Sequence, residues 1–496
     1  TQNTGQGLEA QTIHITTQDL DNLEGSILAD RALTVMADRT LSNNDGVLSS
    51  GATLSVSGRQ LTFSNRDGVV KAGQSVSVDA GQLGGDGKLL SPGDITLKSN
   101  TAFSDSGQTI ANGNLTLSVN GDVSNTGSLL AGSRLDLNSI RLENTEKGEI
   151  SAGQTWLNVT DTLLNRGLID GKYTRLQANT LTNSGTGRIY GDAVGVSAAT
   201  FNNLDENGVA ATLAGRERVD LGVQTLNNRT HSLIYSAGDM HTGGMLDANG
   251  AATGKAGVLN NHSATIEAAG YLVLSAGQIN NVNDHFTTER VVVSTEKVTE
   301  YQLSGSDKRW SAGEPGVYVD NDSSNSLKKL HTPEGARDKF TQYDYTRTVE
   351  ETRVKESDPG KILSGAGMTI VADKLLNDKS QVVAGGLLDM QAGDVENVSV
   401  SGERHVTDSG TSTYYYRIKK KGTDKQGESI SPYEPPTVIQ TITLKPGELT
   451  SHGQVQGSQV TLSPLKPQGT DVQTGLTGNV DATVAGTDRI PLRPVV

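Results

Sequence analysis

Aromatic and cationic side chains gathered in one part of an otherwise plain chain mark where its chemistry would lie. Of 12 tyrosines in 496 residues, eight fall beyond residue 300: Tyr301, Tyr318, Tyr343, Tyr345, Tyr414, Tyr415, Tyr416 and Tyr433. Trp310 and the cations Arg417, Lys419, Lys420 and Lys421 share that stretch. Such rings offer a large rigid contact area with a polar handle, and the lysines suit an anionic surface. That is recognition chemistry. The same residues have a plainer use, because rings also pack across strands and a lysine run also forms a solvated turn or guards a sheet edge.

Bond-making chemistry has less support. The histidines His14, His231, His241, His262, His285, His331, His405 and His452 are scattered, with no HExxH and no zinc-like spacing. Asp and Glu occur mostly at turns, without the neighbouring pairs that a polysaccharide-cleaving site needs. Gly84-Gly85-Asp86-Gly87 has the flavour of a calcium-binding repeat but stands alone, where such sites need tandem copies. No G-x-S-x-G occupies a strand-to-helix setting. With no cysteine, thiol nucleophiles, disulfides and Cys-based metal sites are excluded. No cofactor or metal is expected.

The elements that must position the aromatic residues follow from composition and spacing. Hydrophobic residues make up 34% and aromatics 4%, while Gly reaches 58. A globule of this length wants a richer core; a solenoid does not, because each coil buries only a few side chains against its neighbours. The formal charge of −14 argues against nucleic acid as the main partner. No run approaches a membrane span, and a monomer is expected. The chain does not start with Met, so it reads as a piece of a longer exported protein.

A phrase recurs: Asn, a small polar residue, Gly, apolar residues, a small residue, Gly, then an alternating segment. Copies include Asn65 to Gly73, Asn125 to Gly132, Asn144 to Gly153 and Asn165 to Gly171. The marker glycines Gly51, Gly73, Gly93, Gly113, Gly132, Gly153, Gly171 and Gly191 are spaced by 18 to 22 residues. Segments such as Leu54-Ser55-Val56 and Leu135-Asp136-Leu137 follow them and read as strands with one face inward. Two short strands and two turns per twenty residues fit one coil of a right-handed parallel β-helix. At the interstrand spacing, Ile13 to Asn283 would give about thirteen coils over roughly 60 Å. Glycine would supply positive φ at the corners. Asn125, Asn144, Asn165, Asn183, Asn203, Asn228, Asn261 and Asn281 would stack as amide ladders.

This phrase, of L-x-N-x-G-x-I-x-A-G-x-x-L-x-L character, resembles the haemagglutinin repeat of the filamentous haemagglutinin family, the exported partners of two-partner secretion. The resemblance covers about residues 12 to 283 and returns over 362–398, where Leu375 to Gly386 is close to the family wording. It implies a secreted, cell-surface, non-enzymatic filament whose export uses an outer-membrane transporter.

After Asn283 the phase stops. Thr287 to Gln302 and Thr341 to Lys355 alternate polar and β-forming residues and read as paired exposed strands, with an elaborated loop over 303–340 between them. The expected division is a rod over 1–283, a candidate receptor-binding excursion over 284–361, resumed coils over 362–398, a second Tyr/Lys-rich excursion over 399–448 and a closing segment or linker over 449–496. Both excursions would project from the rod. The Thr/Glu/Arg/Val strand leading through Asp358-Pro359 resembles the junction in effectors of contact-dependent growth inhibition. It implies toxin delivery by a chain whose tip docks on an outer-membrane protein or lipopolysaccharide of a neighbouring bacterium. A host-directed adhesin binding glycan or matrix is the alternative, and a β-helix polysaccharide hydrolase a distant one.

Overall fold

Alternation at every second residue decides the coil. In Ser128–Asn144, Leu129, Ala131, Leu135, Leu137, Leu142 and Asn144 are buried, and most of the residues between them face outward. The computed structural model describes residues 7–445, together with the backbone of 461–462 and 490–491. The expected closing segment over 449–496 lies outside the described residues apart from those four. The described residues contain no helix. Two units emerge among the described residues, one comprising 7–285 and 358–398, the other 286–357 and 399–445.

The first unit is a parallel β-solenoid. Each coil pairs in register with the next, so inward residues form columns. Leu129, Ile150, Ile169, Ile189, Leu213, Ile234 and Ile266 stand in one such column. The sequence pattern suggested two strands per coil, but a coil carries three paired runs. In one coil they are 149–152, 154–158 and 162–165, the first two parted at Gly153 with the register kept and the last two by a corner at 159–161 where the register shifts. The third run was overlooked because it is short and ends on the buried Asn rather than on an apolar residue.

The glycines serve a different purpose from the one their pattern suggested. None of the marker glycines has positive φ; at the N-terminal corners that conformation belongs to Glu24, Asp45 and Asp67. The marker glycines are needed because backbones meet there. A Cβ on Gly73 would lie 2.1 Å from the Gly51 carbonyl oxygen of the adjoining coil. Backbone contact is the constraint, not handedness of the turn.

The amide ladder is present. Asn125 donates to Asn144 at 2.8 Å, and donation continues through Asn165, Asn183, Asn203, Asn228, Asn261 and Asn281 at 2.9–3.0 Å. It extends beyond the expected set, upstream over Asn22, Asn43 and Asn65 and downstream to Asn377 and Asn397. Between Asn65 and Asn125 it lapses, where Gly85 and then Asp105 hold the rungs.

The chain leaves the solenoid after His285 and re-enters at Asp358 without losing phase. Ile266 pairs with Ile362 and Asn281 with Asn377, as if nothing intervened. The re-entry point is fastened. Asp358 N–H donates to Asn283 Oδ1 (3.1 Å), the Ser263 hydroxyl donates to the Asp358 carbonyl (2.6 Å), and the Asp358 carboxylate meets His231 Nε2 at 2.9 Å.

The second unit is an antiparallel sheet. Thr287–Leu303 pairs with Phe340–Glu356, as their alternation suggested, and Phe340–Glu356 pairs in turn with Ser401–Ile418. Lys425–Tyr433 and Val438–Thr443 both pair with Ser401–Ile418. The two excursions read from sequence are therefore one sheet. A small three-stranded sheet, Tyr318–Asn321, Lys328–Thr332 and Gly335–Arg337, is built from the loop between the first two long strands.

Candidate receptor-binding face

Side chains directly opposite in an antiparallel pair share a face, and this divides the candidate residues. One face joins Tyr415 to Phe340, Phe340 to Leu303, and Tyr301 to Trp310. Together with Val317 and Leu330 these form the core of the second unit, with Phe340 fully buried. Phe340 lies 4.9 Å from Tyr415 and 6.5 Å from Tyr301, ring centre to ring centre. Lys308 caps the Trp310 ring at 3.8 Å and Lys328 the Tyr415 ring at 4.6 Å. Trp310 and Tyr415 are thus interior residues, and Tyr301 is half-buried against them.

The opposite face carries Tyr343, Tyr345, Tyr414, Tyr416 and Tyr433. Tyr345 and Tyr433 flank Gly410, which faces both across its two neighbouring strands. A Cβ on Gly410 would lie 2.5 Å from the Tyr345 Cα, and the Tyr433 ring lies 5.1 Å from Tyr345 and 5.0 Å from Tyr343. Arg309 lies 3.8 Å above Tyr343 and donates to the Tyr433 hydroxyl at 2.6 Å. Burial, with the Glu300 carboxylate beside it, pushes the Tyr345 hydroxyl up to about 12. Arg347 grips Asp408 with two bonds of 2.8 and 2.9 Å, which raises the guanidinium above its usual range.

Two rings on this face remain uncommitted. Tyr343 donates its hydroxyl to Gln302 at 2.6 Å, and Tyr433 accepts from Arg309. Tyr414 and Tyr416 stack at 5.7 Å, and no hydrogen bond joins either hydroxyl to a described residue. Tyr414 is 37% exposed and Tyr416 half-buried. Lys419, Lys420 and Lys421 follow in the exposed turn beyond the same strand. Arg417 is committed to Asp424, whose carboxyl it lowers, and approaches Asp338 at 3.6 Å. Tyr318 lies on the small sheet, 52% exposed and stacked on His331 at 4.4 Å.

Sequence reasoning missed Arg309 and Gly410. Nothing in the spacing marks Arg309, whose role comes from pairing across two strands. Gly410 had a signal, since a glycine within an alternating strand points to close approach by another group. Among the described residues, no group of three or more His, Asp or Glu side chains could hold a metal.

Residues 9–78, 72–138 and 354–399 match the family model described as the haemagglutinin repeat. No curated protein matches the chain, and no solved structure matches it. Coils between 139 and 283 lie outside the matched stretches yet continue the same columns. The chain is thus similar to haemagglutinin-repeat proteins at both ends of its solenoid, while nearly all of the second unit falls outside that likeness.

Proposed function

We propose that this chain is part of a secreted cell-surface filament in which the solenoid carries the antiparallel sheet as a receptor-binding element. The observation that carries the reading is the pair of uncommitted rings, Tyr414 and Tyr416, followed on one strand by Lys419 to Lys421. Rigid aromatic rings next to exposed cations suit a protein or lipid surface with anionic groups. The partner is an outer-membrane protein or lipopolysaccharide of a neighbouring bacterium, and the setting is contact-dependent growth inhibition, with toxin delivery by a longer chain. Export is through the outer-membrane transporter of a two-partner system. Support comes from the haemagglutinin-repeat match and from the phase-preserving insertion of a sheet with no repeat of its own.

Exchanging Tyr414 and Tyr416 for Ser in the full chain tests the reading. Attachment to target bacteria is expected to fall about 10- to 30-fold, the loss typical of a contact centre, while the solenoid stays folded. Unchanged attachment would overturn it. Retained attachment to eukaryotic cells or matrix with none to bacteria would replace the proposal with a host-directed adhesin.

A further inference from the structure

Where the chain re-enters the solenoid, polar side chains from earlier coils surround one peptide bond. Asp358–Pro359 is the sole Asp–Pro step in the sequence, and the receptor reading makes no use of it. The Ser263 hydroxyl, on a residue 1% exposed, donates to the Asp358 carbonyl oxygen at 2.6 Å. Its proton is aimed there because its oxygen already accepts from the Asp284 N–H at 2.9 Å. The buried Asp358 carboxylate faces His231 Nε2 through both oxygens, at 2.9 and 3.0 Å. Asn283 Oδ1 holds the Asp358 N–H at 3.1 Å. Ser263 and His231 lie 95 and 127 residues before Asp358 in the chain. Folding is what brings these groups to the bond.

We infer that the Asp358–Pro359 bond is a site of self-cleavage. The Asp358 carboxylate attacks its own main-chain carbonyl carbon and closes a five-membered ring. The electron pair of the carbonyl moves onto its oxygen, where the Ser263 hydroxyl stabilises the charge. As that pair returns, the C–N bond breaks, its electrons go to the Pro359 nitrogen, and this nitrogen takes the proton of the His231 imidazolium. One water then opens the cyclic anhydride, entering on the His231 side, which is 11% exposed. Two carboxylates form at Asp358; of the two protons released, one returns to His231 and the other goes to the Pro359 amine. Proline decides the route. It has no N–H, so the competing attack of the following main-chain nitrogen on the Asp side chain is closed, and it departs as a secondary amine. The cut pieces stay joined, because 361–364 is paired with both 265–268 and 381–384, and Phe340–Glu356 with Ser401–Ile418. This site is separate from the tyrosine face and stands or falls without it.

The test holds the full chain, with protease inhibitors, for several days at about pH 6.5, the ordinary histidine pKa. Products are read on a denaturing gel and by mass spectrometry. Two pieces are expected, 1–358 and 359–496, the second beginning at Pro359, with masses that together exceed the intact chain by one water. The same chain unfolded in urea should cleave slower by roughly tenfold or more, having lost the placement of its groups. Ser263→Ala and His231→Gln should each slow the folded chain by about 100-fold, and Asp358→Asn, of the same shape, should abolish the cut. No cut at this bond, equal rates in the folded and the urea-unfolded chain, or unchanged rates in Ser263→Ala and His231→Gln would each overturn the inference. Where Trp156 fluorescence shows that a variant has not folded, the comparison of folded with urea-unfolded parent chain still decides.

Discussion

The solenoid and the inserted sheet are both made of alternating strands, yet a side chain's role is fixed differently in each. In the solenoid the column decides: an Asn at the ladder position is buried and bonded whichever coil it belongs to, from Asn22 to Asn281. In the sheet the opposite residue decides. Tyr414 and Tyr415 are chain neighbours, but one faces Thr341 and is exposed while the other faces Phe340 and is buried. Repetition makes a role visible in one dimension, whereas pairing hides it in two. Stability should follow the same division, local and column-wise in the solenoid, cooperative in the sheet.

The largest effect is expected in the sheet core. Phe340→Ala removes a fully buried ring that touches two tyrosines and should cost about 3–5 kcal/mol. The two tryptophans make the comparison measurable, since Trp156 lies in the solenoid and Trp310 in the sheet. With each alone as the fluorescent reporter and the other changed to Phe, the urea midpoint from Trp310 should drop sharply. That from Trp156 should hold. Equal drops would end the distinction between the two regions.

The same division explains what could be read beforehand. The repeat phase, the ladder from Asn125 to Asn281 and the pairing of Thr287–Leu303 with Phe340–Glu356 were legible, because each rests on spacing along the chain. The joining of the two excursions was not, since it depends on Phe340–Glu356 having two partners, one of them 45 residues beyond its end. Nor could composition separate interior Trp310 and Tyr415 from outward Tyr414 and Tyr416. A run of three tyrosines must alternate in facing, but spacing alone does not say which face a second layer covers.

The lapse in the ladder offers a sharper comparison within the solenoid. Asp105 takes a rung between Gly85 and Asn125, and burial pushes its carboxyl up to about 7, although the Gly107 N–H pulls the other way. Its Oδ2 and the Oδ1 of Asn125 on the next rung both lack partners. A protonated Asp105 could donate there as an Asn would. The nearest acid in sequence, Asp94, is exposed and accepts from the Asn114 N–H. Because the folded pKa lies above the unfolded 3.8, the folded chain keeps a proton that the unfolded chain has released between about pH 4 and pH 7. Stability is therefore full below about pH 4 and falls as pH rises to about 7, by at most about 4 kcal/mol. Glu149, raised to about 7 by burial and the Asp170 charge, adds a loss of the same sign. Asp105→Asn should remove only its own share, raising the Trp156-reported midpoint at pH 8 and leaving it nearly unchanged at pH 4. A variant that shifts both equally would show that Asp105 is already ionised.

A smaller loss, about 2–3 kcal/mol, is expected for Asn165→Ala in the middle of the ladder. Asn165 is fully buried, accepts from Asn144 and from the Gly167 N–H, and donates to Asn183 and to the Gly167 carbonyl. Truncation leaves the Asn183 oxygen without its donor and the Gly167 N–H without its acceptor, in a site without water access. The damage should stay near its rung, because each coil touches only its neighbours. Amide hydrogen exchange gives the measure: protection should fall for the coils around Asn144, Asn165 and Asn183 and persist near Asn261 and Asn281. If protection falls evenly along the solenoid, the coils unfold as one body. Column-wise stability would then belong to the sequence pattern alone, and the solenoid would share the cooperative behaviour expected of the sheet.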